Sequence, residues 1–143
     1  MDNKNIEKDI IESFGDVVRI VEKSKKRIFL KVNKELIDMY WQIGEYLSNA
    51  VKESKYGDGY IQGLAEYFAK NHPNIKGFNR RGLYRMKQFY ELYRGTEIVS
   101  SLMTQLSWTS HLKLMSACKT FEERKYYMEV AIAENYSVRE LER

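Results

Sequence analysis

The chain has 143 residues, of which 43% are hydrophobic and 31% charged, with a net charge of +4. That length buries a core without disulfides or a structural metal, which excludes a stapled mini-protein, and no apolar run approaches the roughly 18 residues a membrane helix needs. Cys118 is the only cysteine and the N-terminal "MDNKNIEKDIIESFG" lacks an apolar signal core, so the expectation is a reducing cytoplasm, with neither a disulfide framework nor a membrane partner.

One proline and eight glycines leave little punctuation, and apolar residues recur at three and four rather than two, so the chain reads as all-α or mostly α with a minor β wing. A short helix is expected from Ile6 to Phe14, running into or bending at Gly15, before a long helix from Asp16 towards Glu53. Val17, Ile20, Val21, Ile28, Val32 and Leu36 mark its apolar side. Further on, Leu36, Tyr40, Ile43 and Leu47 form a packing ridge, with Trp41 and Gly44 placed to admit a crossing neighbour.

The glycine-rich "SKYGDGY" breaks this helix, and Asp58 is the expected cap of a helix from Tyr60 to Asn71 that turns Ile61, Leu64, Ala65 and Phe68 inward. "HPNIKGF" reads as a turn, after which Asn79 caps a helix carrying Leu83, Met86, Phe89, Tyr90 and Tyr93 on its apolar side, stopped by Gly95. A weaker helix is expected near Glu97 to Met103. "SWTSHLKLMSAC" begins at a Ser cap, Thr120 and Glu123 have capping-box spacing, and Ser137 with Glu140 repeat that spacing shortly before the sequence stops, as an excised domain would.

Charge is unevenly distributed. Arg19 to Lys34 carries seven basic residues against Glu22, and Lys76 to Arg94 carries six against Glu91. The helices at Tyr60–Asn71 and Asn79–Arg94 have the order of a helix-turn-helix unit. With its apolar side buried, the second helix leaves Arg80, Arg81, Tyr84, Arg85, Lys87 and Gln88 towards solvent, with Arg81, Arg85 and Gln88 on one stripe. Guanidinium and amide donors suit phosphates or base edges, and Asn79 with the helix N-terminus suits a phosphate. The alternative is a core helix with a solvated, charged back. Lys23, Lys25, Lys26, Arg27 and Lys31 form a secondary basic face whose simpler role is the wet side of a long helix.

Catalytic chemistry finds little support. His72 and His111 lack a matching ligand pair, and Cys118 reads as a small buried residue. "ESK", Glu53 to Lys55, matches the minimal Glu-x-Lys element of metal-dependent nucleases, but at a helix end rather than on the adjoining strands that chemistry uses. There is no nucleophile elbow and no phosphate-binding loop, and "YGDGY" is too short for a nucleotide fingerprint.

The ordered motifs "YWQIGEYL", "YGDGYIQGLA", "GFNRRGLYRMKQFYELY", "LSWTSHLKLM" and "EERKYYMEVAIAENYSVRELER" resemble the N-terminal domain of the YhcG-like family of predicted PD-(D/E)XK nucleases, over about Leu36 to Arg143. The resemblance implies a long helix on a winged-helix-like core, with residues 1–35 as a helical extension and 36–143 as the family domain. It further implies a non-catalytic, cofactor-free DNA-binding or assembly module whose catalytic carboxylates lie in a later nuclease domain. DNA, that C-terminal domain and a second copy of the chain are the expected partners. The family motif maps onto Phe78, Asn79, Arg80, Arg81, Leu83, Tyr84, Arg85 and Met86, and onto Leu106 to His111. The family's usual asparagine before leucine is Gly82 here, which by propensity weakens the helix by roughly 1 kcal/mol relative to alanine and loosens the presentation of Arg81 and Arg85. Trp108 reads as core with His111 satisfied locally, the alternative being a partner surface.

Overall fold

A computed structural model of the chain describes residues 3–53, 59–96 and 100–134. The described residues form six helices: α1 (Asn3–Glu53), α2 (Gly59–Asn71), α3 (Arg80–Tyr93), α4 (Ser100–Met103), α5 (Trp108–Ala117) and α6 (Phe121–Ala133). The fold is all-α, and no strand occurs among the described residues. The expected caps at Asp58 and Ser137 lie outside them, as does Lys55. By contact density the chain divides into two units, Met1–Val32 and Asn33–Arg143, the boundary falling within α1.

In the first unit the helix runs straight on through Gly15, the first of the two readings of that junction. A single glycine costs a helix interior only about 1 kcal/mol, too little by itself to end a helix of 51 residues. Arg19 reaches back one turn to pair with Asp16. The apolar side foreseen from Val17 to Val32 is present as a stripe but is uncovered: Val17 is 58% exposed, Ile28 62% and Val32 55%.

The second unit is organised around α3. Its N-cap is Asn79, whose side chain accepts a hydrogen bond from the Gly82 amide at 2.8 Å, and its last turn closes with the Arg94 amide donating to Tyr90 O at 2.9 Å before Gly95 turns the chain at a positive φ of 70°. Between those ends Leu83, Met86, Phe89 and Tyr93 recur at three and four and are all buried. The N-terminal half of this stripe packs with Leu47 of α1 and Ile61 of α2. Its C-terminal half packs with Ile37 of α1, with Leu114 and Met115 of α5, and with Met128 and Ala131 of α6. Fully burying each such side chain contributes about 1.5–3 kcal/mol.

Two backbone approaches set the helix positions. Gly44 is the point where α1 meets α3: a Cβ there would overlap the Met86 carbonyl oxygen and lie 2.9 Å from Tyr90 Cβ. Asn33, buried on α1, donates both amide hydrogens, to Thr104 O at 2.6 Å and Leu106 O at 2.7 Å. Those carbonyls follow α4 and would otherwise be unsatisfied away from water. On α5, Ser107 caps the helix by accepting from the Ser110 amide, and Thr120 does the same for Glu123 on α6.

His111 is wholly buried. Its Nε2 bonds Met103 O at 2.7 Å, which fixes the Nε2–H tautomer as donor, while its ring sits edge-on to Phe89 at 4.9 Å. Trp108 stacks on Tyr40 at 4.4 Å and meets Phe89 edge-on at 5.2 Å. Both residues are therefore internal packing, as the simpler of the two sequence readings had it.

Candidate nucleic-acid interface

The face of interest is the side of α3 opposite its buried stripe, together with the turn that enters it. Asn71 ends α2, the Ile75 amide bonds His72 O at 3.0 Å, and Gly77 takes φ +90°, a conformation only glycine adopts without strain. Phe78 stacks on Phe68 at 4.8 Å, which pins the turn to α2.

Gly82 then proves to be a packing requirement rather than a weakness. A Cβ there would overlap the Gly77 carbonyl oxygen and come within 3.1 Å of both its carbon and Asn79 Oδ1. The absent side chain lets the turn fold against the first turn of α3 and seats the Asn79 cap. Alanine at position 82 should therefore lower stability by about 1–3 kcal/mol despite its better helix propensity, a change readable in a urea titration. An unchanged or raised midpoint would restore the propensity account.

The charged side chains separate into two groups. At the leading end, Arg80 and Arg81 are exposed on the first turn and Lys76 is exposed on the turn before it. Among the described residues no carboxylate pairs with any of these three; Arg80 lies over the Tyr84 ring at 5.5 Å. Lys76, Asn79 and Arg80 border a concavity of about 400 Å³ between α2 and the turn.

Further along, the side chains are engaged with the protein itself. Arg85 donates to Gln88 Oε1 at 3.0 Å and to Ser116 Oγ on α5 at 2.9 Å. Lys87 pairs with Glu91 at 2.7 Å. Partial burial would push the Glu91 carboxyl up, but hydrogen bonds from Lys87 and from Ser48 on α1 hold it below its ordinary value. Arg81, Tyr84, Arg85, Lys87 and Gln88 nonetheless line one open concavity of about 420 Å³. The residues named from sequence are thus brought together on α3, with Asn79 acting as a cap.

Lys23, Lys25, Lys26, Arg27 and Lys31 are all exposed on the first unit, where Arg27 donates to Ser24 Oγ at 3.1 Å. Lys76 was not singled out from sequence. Its signal was available, since it precedes the left-handed Gly77 in the turn that feeds the helix N-terminus. The Arg85–Ser116 link was not legible, because it joins residues on two separate helices.

No group of three or more His, Cys, Asp or Glu side chains is placed to hold a metal ion among the described residues, and no described helix is long and apolar enough to cross a membrane. What the described part presents is an all-α module with a cationic helix entry. The chain belongs to the family of the DUF1016 N-terminal domain, whose model matches residues 16–143, and this family is the N-terminal region of YhcG-like nuclease proteins. The match reaches back to Asp16, well before Leu36, from which the resemblance in the sequence was counted. No curated protein and no solved structure matches the chain.

Proposed function

We propose that this chain is a non-catalytic DNA-gripping module of a nuclease of the PD-(D/E)XK type, acting in the cytoplasm with a nuclease domain that follows it in the full-length protein. The observation that carries this is the trio Lys76, Arg80 and Arg81: three exposed cations with no carboxylate partner among the described residues, gathered at the capped N-terminus of a helix whose other side is buried. Exposed charge left unpaired in this way is suited to phosphate, and the helix N-terminus adds its own partial positive charge. Arg85 and Lys87, being engaged with Ser116 and Glu91, serve chiefly to hold α3 in place. The grip is accordingly on the backbone rather than on base edges.

The order α2, turn, α3 is that of a helix-turn-helix unit, with α3 in the recognition position. Its apolar stripe anchors it while its leading end faces outwards. Reversing both charges, Arg80→Glu with Arg81→Glu, should weaken binding to duplex DNA by about tenfold or more at low salt. Lys87→Ala should leave it nearly unchanged. Equal losses from both changes, measured by fluorescence anisotropy, would show that the leading end has no special role.

A further inference from the structure

The uncovered stripe on the first unit has a regularity that a merely solvated helix does not need. Ile6, Ile10, Val17, Val21, Ile28 and Val32 are spaced four, seven, four, seven, four. This is one 11-residue motif repeated three times, and 11 residues occupy three turns at about 3.67 per turn, so the six side chains keep to one face of an almost undistorted helix. All six are at least 42% exposed. An apolar stripe that recurs over 27 residues, roughly 40 Å of helix, with Ser13 and then Ser24 and Lys25 in its two longer gaps, marks an interaction surface rather than a scatter of single surface residues.

Charge along the same helix selects the occupant. From Asn3 to Asp16 the acids Glu7, Asp9, Glu12 and Asp16 outnumber Lys4 and Lys8; from Val17 to Val32 six basic residues stand against Glu22. A second copy laid parallel would set acidic half on acidic half and basic on basic. A second copy laid antiparallel sets each half against its opposite.

The spacing is also palindromic about Arg19. In the antiparallel register centred there, Ile6 faces Val32 of the partner subunit, Ile10 faces the partner's Ile28, and Val17 faces the partner's Val21. On one flank of the stripe Asp9 lies within about 3 Å along the axis of Lys31 of the partner subunit, while Ile20 meets its own copy near the two-fold axis. Val18 does the same on the other flank. Both are exposed in the single chain, Val18 at 52% and Ile20 at 63%.

We infer that residues 6–32 form an antiparallel two-helix interface with a second copy of this chain, zipped by the 11-residue apolar repeat and oriented by opposite charge. The interface is isologous, the usual form for a two-fold dimer. It places two copies of the second unit in one particle, which doubles the cationic helix entries available to one nucleic acid; the pairing itself does not depend on nucleic acid being bound.

The test is the mass of the 143-residue chain in solution by sedimentation equilibrium over a wide range of concentration. The expected species has twice the chain mass of 17.0 kDa, and Val17→Asp with Val21→Asp should halve it. Both substitutions fall on exposed positions outside the second unit, whose own thermal transition should persist. Orientation is read by mixing Asp9→Cys and Lys31→Cys chains under mild oxidation, with the buried Cys118 left in place. Antiparallel pairing gives the mixed 9–31 disulfide, since two copies of residue 9 are then about 30 Å apart along the helices. A chain that stays monomeric at every concentration, a dimer indifferent to the paired aspartates, or preferential 9–9 cross-linking would each overturn the inference. DNA binding by such a monomer would leave the proposed function standing.

Discussion

Gly44→Ala should unfold this protein more readily than a methyl added at any other described glycine, with a loss of about 3 kcal/mol. The new Cβ would overlap the Met86 carbonyl oxygen and come 2.9 Å from both the Met86 carbonyl carbon and Tyr90 Cβ. Two of those three are backbone atoms of α3, so no rotamer change relieves the clash; α1 and α3 must separate. Separation also uncovers Leu47 against Met86, which adds a packing loss to the steric one. The roughly 1 kcal/mol that alanine gains in helix propensity does not compensate. Gly63→Ala provides the comparison, because a Cβ there meets nothing within 4 Å, and that variant should be slightly more stable than the parent. Thermal melting of the two variants side by side checks both the sign and the site.

Stability should also fall steeply with pH between about 6.5 and 4, through His111. Burial, opposed only by the hydrogen bond to Met103 O, pushes its imidazole from an ordinary 6.5 down to about 4. The folded value is the lower one, so in that window the unfolded chain binds the additional proton. The neutral ring therefore contributes its full stabilisation above pH 6.5, and the contribution is lost as pH falls towards 4, amounting to about 3 kcal/mol. Among the described residues no carboxylate is paired with the ring: its aromatic neighbours are Phe89 and Tyr93, at 4.9 and 6.3 Å between ring centres, and the guanidinium of Arg124 lies 5.8 Å from the Tyr93 ring. Urea midpoints measured across this range should show the drop. His111→Gln should lie lower at neutral pH and flatten the slope. An unchanged slope in that variant would assign the acid sensitivity to other groups.

Much of the second unit was legible because its signals are local. Asn79, Ser107 and Thr120 cap the helices they precede, and the three-and-four spacing of Leu83, Met86, Phe89 and Tyr93 names the buried face of α3. Gly44 announced a close crossing, and α3 supplies it. What periodicity does not convey is whether an apolar face is covered. Val17 to Val32 read as an apolar side and stand in solvent, whereas Ile37, two turns before Gly44, is buried and was not singled out.

Polar residues were harder still. Asn33 and His111 are buried because they satisfy backbone carbonyls near the end of α4, and no local pattern encodes such partners. Gly82 shows propensity overridden by tertiary contact: the helix accepts a poor helix former because a carbonyl occupies the space. At the candidate site the residues named from sequence fall together on α3, but spacing did not separate Arg80 and Arg81, which face solvent without a carboxylate partner among the described residues, from Arg85 and Lys87, which are engaged internally.

The central claim, phosphate grip by the leading end of α3, is tested most directly by the salt dependence of duplex binding in the parent chain and in the Arg80→Glu, Arg81→Glu variant. Three phosphate-neutralising cations predict a slope of log affinity against log salt of about −3, steeper if the first unit's lysines contribute, with a loss of about two from that slope in the variant. No binding at low salt to duplex, branched or single-stranded DNA, or a slope unmoved by the two substitutions, would contradict it.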